Sequence, residues 1–172
     1  MRRLSFAVCL ALALAGCGYS LVGTGSFLPP DIRTIHVPTF VNRTTRVEAE
    51  QIVTRAVTEE FVSRGRLRVV GSPPEAHVFL NGVITGFGLT PVAFDAQGRA
   101  TQYQVNIRAS IELVDRRDEE PRTLWKNDQY YFAEDYSVNP EAIDSFDQET
   151  RAIQEIAVRF AESLVSSVLE GF

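Results

Sequence analysis

The sequence predicts an α+β fold, a two-layer sandwich in which two amphipathic helices pack on one face of a mostly antiparallel four- to five-stranded sheet. Three observations predict it. First, residues Thr101 to Asp115 alternate strictly: Tyr103, Val105, Ile107, Ala109, Ile111 and Leu113 are separated by Gln102, Gln104, Asn106, Arg108, Ser110 and Glu112. A strand of this kind has one dry and one wet face, as in an antiparallel sheet covered on a single side. Second, Arg46 to Arg64 and the stretch around Ile153 to Leu169 carry apolar residues at three-four spacing, the period of a helix that buries one stripe. Third, the order strand, helix, four strands, helix supplies two helices to cover the dry face. Each large residue of that face contributes about 1.5–3 kcal/mol when buried, and a one-residue slip would bury Gln, Asn, Arg and Glu instead.

The chain starts with a segment that does not belong to this body. Arg2 and Arg3 precede an apolar run from Phe6 to Ala15, closed by Leu14-Ala15-Gly16-Cys17. Ten residues rise only about 15 Å as a helix, half of a hydrocarbon core, so the run is a secretory signal rather than a membrane span. Leu-Ala-Gly-Cys at its end resembles the bacterial lipobox, which implies removal of residues 1–16 and a diacylglycerol on the Cys17 sulfur, followed by acylation of the freed amine. Three acyl chains anchor a protein stably. Gly18 stands where an inner-membrane retention signal would have Asp, which favours the outer membrane. The remaining cysteine, Cys9, leaves with the signal, so the mature chain forms no internal disulfide.

The mature chain has 156 residues, enough for one domain with a real core. Loss of Arg2 and Arg3 takes the net charge from −5 to −7, which leaves no field for gripping nucleic acid. Residues 17–31 form the lipidated N-terminus and a Gly, Ser and Pro-rich tether, and residues 32–172 form a single domain. Ile35 and Val37 mark a first strand, stopped by Pro38, and Phe40 to Thr45 a polar turn. Thr45 with Glu48 reads as a capping box opening the first helix, and Gly65 as its stop. Arg66 to Val70 is a short strand, Gly71 to Glu75 a turn, and His77 to Gly88 a third strand. Gly82, Gly86 and Gly88 within it indicate bulges or close approach of another group. Leu89 to Ala100 joins it to the alternating strand, with a tip at Asp95 to Arg99. A charged turn, Asp115 to Pro121, leads to a last strand from Arg122 to about Ala133, and Asn139-Pro140 reads as the start of the final helix.

The two histidines, His36 and His77, each stand alone in a strand, where a structural role is the ordinary one. No G-x-S-x-G, no Cys/His metal spacing and no phosphate-binding glycine loop occurs, so no catalytic or metal site is assigned and the protein is expected to be neither an enzyme nor a cofactor carrier beyond the lipid on Cys17.

One family resemblance spans the mature chain. Cys17-Gly18-Tyr19, Ile35 to Thr44, Arg64 to Val70 and above all Pro91 to Asp115, in this order, resemble the LptE family, the lipoprotein component of the outer-membrane lipopolysaccharide translocon. The resemblance implies a two-helix, four-stranded sandwich that sits one-to-one as a plug inside the LptD β-barrel, assists its assembly and takes part in inserting lipopolysaccharide into the outer leaflet. It implies a periplasm-facing protein, anchored in the inner leaflet of the outer membrane and reaching into the barrel lumen. Beyond Cys17 it transfers no ligand residue. The wet face, Gln102, Gln104, Asn106, Arg108, Ser110 and Glu112, is a candidate surface for a polar barrel interior, and plain solvation fits it equally. Arg99, Arg116, Arg117 and Lys126 are candidate contacts for lipopolysaccharide phosphates, with a solvated role as the alternative. A lipoprotein that binds and activates a periplasmic cell-wall enzyme is the competing function.

Overall fold

The computed structural model describes residues 27–138 and 145–171. Strand β1 (Thr34–His36) and strand β2 (Val41–Asn42) precede helix α1 (Ala49–Arg64) and strand β3 (Arg68–Val69). Three long strands follow, β4 (Val78–Phe94), β5 (Ala100–Asp115) and β6 (Arg122–Ser137), and then helix α2 (Ser145–Glu170). Strands β4, β5 and β6 form an antiparallel meander, while β1 pairs in parallel with β3 and β4. Both helices pack on the dry face: Val53, Val57 and Phe61 of α1 join Phe160, Leu164 and Val168 of α2 over Val105, Ile107, Ala109, Ile111 and Leu113, which are completely buried. This is the expected two-layer α+β architecture.

Among the described residues the sheet has six strands rather than four or five. The extra one is β2, inside the stretch read as a polar turn; it lies in parallel register with Val83 and Ile84 of β4. A pairing two residues long leaves no periodicity in a sequence, because both partners must be known before it is visible.

Helix α1 starts later than its pattern suggests, and without the capping box. Glu48 occupies the N-cap in a left-handed conformation (φ 63°) with no side-chain cap bond. Asn42 organises the turn instead. Its Oδ1 accepts from the Thr44 amide and hydroxyl at 2.9 and 2.8 Å, and its Nδ2 donates to the Arg46 carbonyl at 2.7 Å and to Glu50 at 2.8 Å. An Asx turn of this type competes with a helical start, and here it displaces that start by a few residues. At the other end Gly65 (φ 64°) stops the helix as expected, its N–H bonded to the Phe61 carbonyl.

The third and last strands run further than their patterns predict, to Phe94 and Ser137. Alternation fades at Gly88 because the helices cover only the first part of the hairpin. Thr90, Pro91, Val92 and Phe94 are all exposed, so no apolar face marks them as strand, yet backbone pairing with β5 continues through two register shifts. Of the three glycines, Gly82 allows Phe40 to cross the dry face and Gly88 lets the Asn106 amide lie across β4, while a register shift separates Ile84 from Gly86. The body also reaches back into the expected tether, since Leu28 is buried in the core. Cys17 and the Asn139-Pro140 helix start lie outside the described residues.

Candidate functional site

The wet face of the meander is built by register. On β5 the row Gln102, Gln104, Asn106, Arg108, Ser110 and Glu112 points away from the helices, opposite Ser137, Asp135, Ala133 and Tyr131 of β6 at its far end and Lys126 at its near end. All six expected residues therefore share one surface, each partly or fully exposed. The face is cross-linked. Gln104 donates to Asp135 at 3.2 Å, Ser110 to Asp128 at 3.0 Å, and Thr123 to Glu112 at 2.6 Å; Lys126 pairs with Asp128 at 3.1 Å. The Lys126 ammonium, then the Ser110 hydroxyl, hold the Asp128 carboxyl below its ordinary range.

Not every charge of this face is paired. Arg108, exposed, has no carboxylate partner among the described residues and lies instead over the ring of Tyr131, 5.5 Å from its centroid. Tyr131 is 55% exposed although it lies between buried Tyr130 and half-buried Phe132. Nothing local in the sequence singles it out. Tyr130-Tyr131-Phe132 carries no alternation, and only the register Arg108↔Tyr131 shows which ring faces out.

The four candidate phosphate contacts are not brought together. Arg99 stands at the hairpin tip, and Arg116 and Arg117 lie beyond the other end of β5, a strand of about 50 Å. Arg99 is held inside its own turn, its Nε 2.7 Å from Asp95 Oδ2 while Asp95 Oδ1 accepts from the Gln97 and Arg99 amides. Those amide bonds, Arg99's foremost, depress the Asp95 carboxyl. Arg117 bridges Asp115, at 2.7 Å, and Asp31. The same guanidinium holds both carboxyls below their ordinary range, and they push the Arg117 pKa up, Asp115 more than Asp31. Asp31 thereby fastens the start of the body to the β5–β6 turn. Arg116 differs: its guanidinium stacks 4.5 Å from the Phe79 centroid with no carboxylate partner among the described residues, while His36 meets the same ring edge-on at 5.5 Å.

Both histidines bond to backbone groups. His36 bonds through Nδ1 to the Val70 carbonyl at 3.0 Å, and His77 Nδ1 accepts from the Arg33 amide at 3.2 Å. No group of three or more metal-binding side chains occurs among the described residues. What the geometry offers is a long, internally bonded polar face with two guanidiniums lying over aromatic rings.

Residues 32–168 match the model of a protein family, LptE, described as lipopolysaccharide-assembly. No curated protein matches the chain. Solved structures share the fold at low identity. Protein XCC0632 from Xanthomonas campestris matches with a TM-score of 0.58 at 14% identity, covering 83% of this chain and 87% of its own. The hypothetical protein CT253 from Chlamydia trachomatis has a TM-score of 0.56 at 12% identity, covering 82% and 97%. The PelC dodecamer from Paraburkholderia phytofirmans has a TM-score of 0.50 at 13% identity, covering 83% and 91%.

Proposed function

The chain belongs to the LptE family, and from that premise we propose that it is an outer-membrane lipoprotein, anchored through lipid on Cys17, that plugs and helps assemble the LptD β-barrel one-to-one. In that position it takes part in moving lipopolysaccharide to the outer leaflet. Family membership over residues 32–168 carries this reading, and two physical features support it.

The first is length. Strand β5 of 16 residues spans about 50 Å, longer than the roughly 25 Å apolar band of a barrel, so the body is long enough to reach through a lumen. The second is polarity. A barrel interior is polar, and the wet face presents carboxamides, hydroxyls and paired charges that can lie against it. Among the four candidate phosphate contacts, Arg116 is the first choice, because Asp95, Asp115 with Asp31, and Asp128 already engage the other three. No step of this role requires a catalytic group or a cofactor.

Purification of the tagged full-length protein from its own membranes tests the reading. Recovery with a large outer-membrane barrel in equal amount is expected; recovery with a cell-wall enzyme and no barrel would replace it with the activator function. For the anchor, Cys17→Ala should abolish palmitate labelling, and persistent labelling would refute lipidation.

A further inference from the structure

We infer that Tyr131 and Arg108 form the anchor point of the wet face, a docking spot for a protein wall that presents a carboxylate to the guanidinium; the inference rests on the plug reading above.

The other polar groups of the face set the context. Gln104, Ser110, Glu112 and Lys126 are engaged across strands or along β6. A face whose polar groups satisfy one another is covered at low cost, because docking strands few donors or acceptors without partners. Such pairing also makes those groups weak sources of affinity. Arg108, in the middle of the row, has no such cross-strand bond. Among the described residues no carboxylate pairs with its guanidinium, which lies over the Tyr131 ring, so part of its side-chain freedom is already given up before a carboxylate arrives.

Access is built in. Directly opposite Arg108 on β4 stands Gly86, which has no side chain, and a Cβ there would come within 3.3 Å of the Arg108 Cβ. On the other side β6 is the last strand of the sheet among the described residues, and none of them pairs with its outer flank beside Tyr131. An exposed Tyr with an Arg lying over its ring, at the middle of a polar face, is the arrangement that concentrates binding energy at protein interfaces. Charge complementarity names the partner's chemistry: a carboxylate for Arg108 within an otherwise polar wall.

The test measures association of the full-length lipoprotein with its barrel partner for wild type, Arg108→Glu, Arg108→Lys, Tyr131→Ala and a control on the opposite layer, Arg55→Glu on exposed α1. Arg108→Glu and Tyr131→Ala should each weaken association about thirtyfold or more, and Arg108→Lys by a smaller factor because charge remains while the fork is lost. Arg55→Glu should change it less than twofold. All variants are at exposed positions, and unchanged thermal unfolding of each confirms that folding is not the cause. If wild type binds the barrel and the face variants bind as tightly, or if Arg55→Glu weakens binding equally, the anchor assignment is wrong while the plug reading stands. If wild type does not bind the barrel, the plug reading itself fails and the inference falls with it.

Discussion

Replacing Gly82 by Ala tests how the β1–β2 connection is fastened to the sheet. Gly82 is buried on the dry face of β4, and a Cβ there would lie 2.5 Å from two carbons of the Phe40 ring and 2.7 Å from a third. Carbon atoms in contact sit about 3.5–4.0 Å apart, so the ring has to retreat by about 1 Å. It has nowhere to go: Phe40 is 2% exposed, and its amide is tied to Thr54 Oγ1 at 2.9 Å. Overpacking of this kind costs about 1–3 kcal/mol, which for a domain of this size lowers Tm by roughly 2–12 °C. Phe40→Ala alone should cost about 3–5 kcal/mol through the cavity it leaves. In that background the added methyl enters vacated space, so Gly82→Ala becomes neutral or mildly stabilising. The double variant is then at least about 1 kcal/mol more stable than the sum of the single costs. Urea unfolding read by the single tryptophan, buried Trp125, measures all four proteins. Additivity within about 0.5 kcal/mol, or a Gly82→Ala protein as stable as wild type, would refute the close approach.

Other perturbations read other parts of the fold. Tyr130→Phe removes the 2.7 Å hydroxyl bond to Ser163 that ties β6 to α2 and should cost about 1 kcal/mol, measured by the same unfolding curves. Gly65→Ala places a side chain at φ 64° and should cost about 1–2 kcal/mol, with fraying confined to the end of α1 in hydrogen exchange. Asp115 is depressed below its ordinary value of 3.8 chiefly by Arg117, so its contribution is fully present above that value and is lost as the pH falls through the lower folded value. Asp115→Asn should therefore destabilise the protein at neutral pH and leave a shallower loss of stability below about pH 4 in acid titrations followed by Trp125 fluorescence. An acid limb as steep as that of wild type would exclude Asp115 as its source.

Several of these features were legible in the residues alone. The alternation of Thr101 to Asp115 fixes which residues of β5 are dry, since a period of two admits one register and the energy of a slip is prohibitive. The stripe of α2 and the glycine after α1 likewise follow from local geometry. The six wet-face residues were recoverable for the same reason: a face is a local property of a strand. The partners of the charges were not. That Arg117 bridges Asp115 and Asp31, 86 positions away in the latter case, and that Arg116 lies on Phe79, depends on which segments the topology brings together. Nothing in the sequence told which of the arginines would be paired with a carboxylate and which would lie on a ring.

By itself, then, the sequence determined the layers, the dry and wet faces, and a family resemblance that the match over residues 32–168 bears out. Tertiary structure alone decided that Val41–Asn42 is a strand, that Asn42 and not a Thr45–Glu48 box prepares the first helix, that β4 and β6 run on to Phe94 and Ser137, and that Tyr131 faces outward beside Arg108. The reason is common to all four. Burial patterns are written locally, at periods of 2 and 3.6, whereas short pairings, side-chain turns and exposed strand ends depend on partners distant in sequence or carry no burial pattern.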